Sequence, residues 1–271
     1  MLHYSRLGST CFLTPAVILC ALGVAGAASR PGEAIAAGDT IAPVVTQQGS
    51  MNPAGAPMPG QYRVSGYALL MSGQYVQALR IFEAIDPKTA ETYNQIGIAA
   101  EHLKMPETAE KNYKMAIQMQ PHFADAYNNL GTIYYSRNNY KQAAKFYKKA
   151  LHIDHRNAYA MSNLGTLYFA EKKYDKGEKA YQRAFEVNKE VFETDPASMF
   201  ETTGSPQVTA ELHFYLARLF AQSGLQAEAM FYLEKAVNEG FNDKSRLLKD
   251  SSFSSVRTEP QFTRIVRNMQ G

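Results

Sequence analysis

"NNLGTIYY", residues 128–135, returns almost unchanged as "SNLGTLYF", residues 162–169. Leu130 recurs as Leu164, Gly131 as Gly165 and Tyr134 as Tyr168, each at one 34-residue step. The interval holds in both directions. Gly97, Gly131 and Gly165 share it, as do Tyr113, Tyr147 and Tyr181, and Ala116, Ala150 and Ala184. Ala109 and Ala143 keep the same step, with Gly177 next in the series. Several independent columns on one period are the mark of a repeat architecture.

Each period reads as two helices. Tyr127, Leu130, Ile133 and Tyr134 fall on one apolar stripe at helical spacing. "SRNN" follows as a turn, and Tyr140, Ala143, Ala144, Tyr147 and Ala150 form a second stripe. Gly131 and Ala143 are small where the two helices would cross, so their backbones are expected to approach closely, with Tyr134 and Tyr147 filling the space beside them. One helix pair cannot bury both stripes, so successive pairs must stack. The expected fold is all-α, a stack of helix pairs.

The pattern resembles the tetratricopeptide repeat family: an aromatic, Leu-Gly, an aromatic, a turn, Ala, an aromatic, Ala and Pro. "TYNQIGIAAEHLKMPETAEKNYKMAIQMQP" (92–121) carries it through Pro121. "AYNNLGTIYYSRNNYKQAAKFYKKALHIDH" (126–155) has His155 at the proline position, and "AMSNLGTLYFAEKKYDKGEKAYQRAFEVNK" (160–189) has Gly177 at a small-residue position. Two degenerate units flank these three. In "YRVSGYALLMSGQYVQALRIFEAIDP" (62–87), Gly66 precedes Gly97 by less than the full period, which predicts a shortened second helix. "LHFYLARLFAQSGLQAEAMFYLEKAV" (212–237) follows an insertion expected at 191–208, whose Pro196, Gly204 and Pro206 break helices. The resemblance implies an α-α superhelix, a right-handed solenoid, over 61–239 with about five repeats. In the tail, 240–271, Leu247, Leu248, Phe253, Val256, Phe262, Ile265 and Val266 are expected to cover the open end as a helical cap.

The N-terminal residues read differently. Arg6 precedes the apolar run "CFLTPAVILCALGVAG", and Ala25-Gly26-Ala27 offers a small-x-small cleavage pattern, so 1–27 is expected to be an export signal. The run is short for a membrane span and contains Pro15, which makes a retained anchor the weaker reading. Both cysteines, Cys11 and Cys20, would leave with the signal, which suits an oxidising compartment. Residues 28–60 are rich in Ala, Pro and Gly without a period and read as a flexible tether. The net charge of +3 argues against bulk nucleic-acid binding.

In this family the first helix of each pair lines a concave groove that receives peptides or partner proteins. The resemblance and the helical spacing place Asn94, Gln95 and Ile98 there, then Asn128, Asn129, Thr132 and Tyr135. Tyr159, Asn163, Thr166 and Phe169 follow, and then Phe214, Tyr215 and Arg218. Asn94, Asn128, Asn129 and Asn163 would pair with an extended peptide backbone. Tyr135, Tyr159 and Phe169 would hold its side chains, with Arg218 at the far end. Asn129 and Asn163 would equally serve as helix caps or face water. A carboxylate clamp of the chaperone-binding kind is not expected, since only Asn129 and, loosely, Arg63 match it.

Catalytic chemistry has no candidate in the residues. "HIDH" (152–155) sits where a helix meets a turn, an ordinary place for polar residues, and no HExxH, GxSxG, CxxC or phosphate-binding loop follows the signal. No cofactor or metal is expected. The lysines from Lys141 to Lys149 and from Lys172 to Lys179 suggest a solvated outer face or an anionic partner. The expected function is an exported, non-enzymatic scaffold of the bacterial envelope that binds a protein or peptide in its groove. The rival is an accessory subunit of an envelope enzyme or pilus assembly, held through the insertion or an edge.

Overall fold

The computed structural model describes residues 59–192 and 206–269, with side chains from Val64 onward. The expected signal and tether therefore lie outside the described residues, as do Met199 and Phe200. Ten helices form five consecutive pairs: α1 (Pro59–Met71) with α2 (Tyr75–Ala84), α3 (Ala90–His102) with α4 (Pro106–Met119), α5 (Ala124–Ser136) with α6 (Tyr140–Ile153), α7 (Ala158–Ala170) with α8 (Tyr174–Val187), and α9 (Pro206–Gln222) with α10 (Gln226–Asn238). Two shorter helices, α11 (Lys244–Lys249) and α12 (Pro260–Asn268), follow towards the C-terminus. The shortened second helix expected in the first unit is α2, 10 residues against 14 in α4.

Local chemistry starts and stops these helices. Thr89, Asn139 and Asn157 cap α3, α6 and α7 by accepting from Thr92 N, Gln142 N and Ala160 N. Pro106 and Pro260 open α4 and α12, where a missing N–H costs nothing. The turn between the helices of each pair repeats one conformation. Gly73, Lys104, Asn138, Lys172 and Gly224 all have left-handed φ, between 57° and 75°. In the second to fourth pairs the following residue donates back to the first helix: Met105 N to Ala100 O, Asn139 N to Tyr134 O, and Lys173 N to Tyr168 O.

Packing within a pair rests on a glycine in the first helix and a ring in the second. A Cβ on Gly97 would run into the Tyr113 ring, one on Gly131 would lie 2.6 Å from Tyr147, and one on Gly165 2.5 Å from Tyr181. Gly66 faces Phe82 at 2.6 Å in the same way. The glycine thus makes room for a ring, which corrects the expectation that Gly131 serves a backbone-to-backbone crossing with Tyr147 beside it. The close backbone approach occurs in the fourth pair, where a Cβ on Gly177 would meet Gly165 O at 3.2 Å. In the fifth pair Ala217 and Leu233 stand at the two positions, and both are fully buried. Leu130 and Leu164 are buried, as the spacing requires.

Between pairs, each second helix packs on the first helix of the next pair, α2 on α3, α4 on α5 and α6 on α7. The junction with the fifth pair differs. A 3-10 turn over Lys189–Phe192 inserts Phe192, whose ring lies 5.3 Å from Tyr181 edge-on and 6.4 Å from Phe220. Val191 and Phe192 are buried, and Pro206 opens α9 with Val208 buried, so both ends of the expected insertion at 191–208 belong to the packed fold. At the C-terminal end Leu247, Phe253, Val256, Phe262 and Ile265 are buried, and Phe253 lies 5.8 Å from the Phe214 ring. Leu248 does not join them and stays exposed.

Candidate peptide-binding groove

Successive first helices α3, α5, α7 and α9 pack directly on one another, whereas successive second helices stay farther apart. Curvature therefore puts the first helices on the inner face, and their outward-turned side chains line it. Asn129 and Asn163 are half-buried there, with Gln95, Ile98 and Thr132 beside them, and Tyr159 is 59% exposed.

Four amides on three helices form one hydrogen-bonded chain. Asn163 Nδ2 donates to Asn128 Oδ1 at 2.9 Å, Asn128 Nδ2 to Asn129 Oδ1 at 3.3 Å, and Asn129 Nδ2 to Asn94 Oδ1 at 3.0 Å. Asn94 and Asn128 are buried, so they hold Asn129 and Asn163 in place from below rather than offering contacts themselves. An amide has two N–H donors and an oxygen with two lone pairs, so Asn163 keeps a donor and its oxygen, and Asn129 keeps one N–H. A second row of polar contacts runs along the same helices. Tyr113 Oη donates to Glu101 Oε2 at 2.7 Å, Tyr147 Oη to Thr132 Oγ1 at 3.5 Å, and Thr166 Oγ1 and Tyr181 Oη share a hydrogen bond of 2.8 Å. Burial pushes the Glu101 carboxyl above its usual range, which the Tyr113 hydrogen bond partly offsets.

Several residues expected to face the groove do not. Tyr135 and Phe169 are buried. Phe169 sits 5.3 Å from both the Tyr181 and Tyr215 rings, and Tyr135 lies 5.3 Å from Tyr140. Six residues separate Tyr135 from Asn129 and Phe169 from Asn163, about 240° around the helix. Each ring follows the glycine of its pair by one turn, so both turn towards the second helix rather than the groove. Phe214, Tyr215 and Thr166 are likewise buried. Arg218 is held in ion pairs, Nη1 to Glu178 at 3.0 Å and Nε to Asp250 at 2.6 Å, with its guanidinium 5.4 Å from the Tyr215 ring. Nearby, Arg246 bonds Glu211 at 2.9 Å and lies 4.4 Å from the Phe214 ring. These arginines tie the C-terminal segment to α9 and leave the amide region of the groove without a cation among the described contacts.

Outside the groove, Arg137 bridges the second and third pairs. It meets Glu107 at 3.3 Å and pairs with Glu110, which also accepts from Lys114 at 2.5 Å and from Tyr134 Oη at 3.1 Å. The Lys114 bond above all, with Arg137 and Tyr134, draws Glu110 down to about 2. Nothing in the repeat spacing signals this latch. Among the described residues no three of His, Cys, Asp and Glu gather to hold a metal, and no helix there is long and apolar enough to cross a membrane.

Residues 124–157 and 157–197 each match a family model described as tetratricopeptide repeat. No curated protein matches the chain. Among solved structures, a MamA crystal structure is 20% identical, covering 64% of this chain and 93% of that one, with a TM-score of 0.42. A thermophilic tetratricopeptide protein of Thermus thermophilus is 20% identical over 70% and 96%, with a TM-score of 0.49. Pseudomonas aeruginosa pilF is 19% identical over 76% and 88%, also with a TM-score of 0.49. Residues 124–197 are thus tetratricopeptide repeats, and the two helix pairs before them carry the same glycine–ring packing.

Proposed function

We propose that the chain is a non-catalytic scaffold that holds an extended segment of a partner protein in its inner groove, in the bacterial envelope after export. The observation that carries this reading is the amide chain. Asn129 and Asn163 are fixed by buried partners yet only half-buried themselves, with spare hydrogen-bonding capacity and the exposed Tyr159 on the same face. Ordered amides of this kind satisfy a peptide backbone without losing side-chain freedom on binding. Tyr159 supplies a rigid aromatic contact of the sort that dominates interfaces. The envelope assignment rests on the leader over 1–27, and a mature N-terminus at or next to Ala28 is the expected product.

The test uses a partner captured from the periplasm and titrated against three forms of the protein: the parent, Tyr159→Ala and a deletion of 197–205. Tyr159→Ala removes an exposed ring and should weaken binding about thirty-fold, the loss expected of a hot-spot aromatic. Deleting 197–205 should leave affinity unchanged. The reverse pattern, with affinity lost on deletion and kept in Tyr159→Ala, would reject the groove in favour of an accessory subunit held through that segment.

A further inference from the structure

We propose that the outer face of α6 is a docking stripe for an anionic lipid surface. Lys141, Lys145, Lys148, Lys149 and His152 recur at three- and four-residue steps and fall within one side of the helix. All five are exposed. None of the four lysines has a carboxylate within ion-pair distance among the described residues, and α6 contains no Asp or Glu. Like charges at these spacings repel, so the helix carries an internal strain that a neighbour of opposite charge would relieve.

The equivalent helices are built otherwise. Where α6 has Lys141, α4 has Glu107 and α8 has Asp175; where α6 has His152, α8 has Glu186. In α4, Lys114 is neutralised by Glu110. The unneutralised stripe therefore sets the third pair apart from its two neighbours and is no by-product of the repeat.

The chemistry of the stripe selects among anions. It contains no arginine, hence no planar fork for bidentate recognition of one phosphate or carboxylate. It also lacks an exposed aromatic on which a nucleic-acid base could stack, since Tyr127 is half-buried with Lys149 Nζ 6.0 Å from its ring centre. Flexible, hydrated lysines without a shaped pocket fit a diffuse plane of charge. A convex back meets a plane along a line, and Lys141 to His152 spans roughly 16 Å at about 1.5 Å per residue. Contact along α6 leaves the inner face open, so this docking and groove binding are independent.

The test is co-sedimentation of the purified protein, as the cell processes it, with phosphatidylcholine vesicles with and without phosphatidylglycerol. Binding should require phosphatidylglycerol and fall steeply with salt. Each lysine at such a surface changes partitioning about five-fold, so a variant with Lys141, Lys145, Lys148 and Lys149 all changed to Gln should lose roughly 10²–10³-fold. A charge-matched variant with Lys111, Lys176, Lys179 and Arg183 changed to Gln should keep most of the binding. Equal loss in both variants, equal binding to neutral vesicles, or retention on heparin or single-stranded DNA without vesicle binding would each overturn the proposal. The salt dependence of the unaltered protein is a readout that needs no variant to fold.

Discussion

Gly131 and Tyr147 form a single packing unit: the ring occupies the space a Cβ would need, with the added carbon only 2.6 Å from it. Tyr147 is fully buried, so the ring has nowhere to retreat. Gly131→Ala should therefore destabilise by about 1–3 kcal/mol despite the better helix propensity of alanine. Gly131→Leu should cost more. Restoring room with Gly131→Ala/Tyr147→Leu, the pairing that Ala217 and Leu233 already use, should recover part of the loss. Thermal melts of the three variants check this. A Gly131→Ala protein as stable as the parent would mean that the ring is not seated on the glycine.

The repeated left-handed turn residue gives a prediction of opposite sign. Lys172 has φ 57° and Lys104 φ 59°, a conformation in which a Cβ crowds the following carbonyl. Gly73 and Gly224 occupy the same turn position in the first and fifth pairs. Lys172→Gly relieves that crowding at the cost of extra freedom in the unfolded chain. The net expectation is a gain of roughly 0.5–1 kcal/mol. Denaturant midpoints at unchanged slope provide the measurement, and a drop in midpoint would contradict it.

Glu110 links stability to pH. Its folded carboxyl titrates at about 2, below the ordinary value of 4.5, because Lys114, Arg137 and Tyr134 bond the ionised form. A depressed carboxyl contributes stability that is present above the unfolded value and is lost as pH falls through the folded one. Between about pH 4.5 and 2 the parent should lose more melting temperature than Glu110→Gln. Glu101 acts in reverse. Burial raises its carboxyl, so it favours folding at acid pH and works against it once ionised. Glu101→Gln should accordingly help stability at neutral pH relative to acid, as parallel melts across the range would show.

Much of this architecture is legible in the letters, because a glycine on one helix and a tyrosine on the next must fit each other and so mark the period. The turn residue is legible only in part, since Gly73, Gly224 and Asn138 are types that favour a left-handed backbone whereas Lys104 and Lys172 are not. The groove is legible only in part. Helix phase gives the angle of a side chain about its own axis, which correctly turns Asn129, Asn163 and Tyr159 outward. It does not say how near the next helix lies. Tyr135 and Phe169 lie one turn after Gly131 and Gly165, on the side that meets the second helix, and are sealed into the core by their own phase. Distance to a neighbour decides instead why Arg218 is taken by Asp250 from a segment with no repeat signal. The ends of the 191–208 segment escape the period for the same reason: Phe192 packs against Phe220 and accepts a hydrogen bond from Tyr232, on two later helices.

The amide chain changes what a groove mutation measures. Helix phase alone implies that Asn129→Ala leaves folding intact, but Asn129 accepts from buried Asn128 and donates to buried Asn94. Removing it leaves two buried amides each short of a partner, a cost of about 1–3 kcal/mol apiece where water cannot replace the bond. Asn163 ends the chain and leaves only Asn128 Oδ1 unpaired, so Asn163→Ala should cost less than Asn129→Ala. Asn128→Ala leaves only the half-buried Asn129 and Asn163 short of a partner, where water can replace the bond, so it should also cost less than Asn129→Ala. The double change Asn128→Ala/Asn163→Ala should cost less than the sum of the single changes, because the first already breaks the shared bond. Urea melts of the four variants give the order. If Asn129→Ala proved neutral, the amides would be solvated independently and the fixed orientation that supports peptide binding would be gone, whereas a graded loss would show that one set of hydrogen bonds holds both the repeat register and the groove.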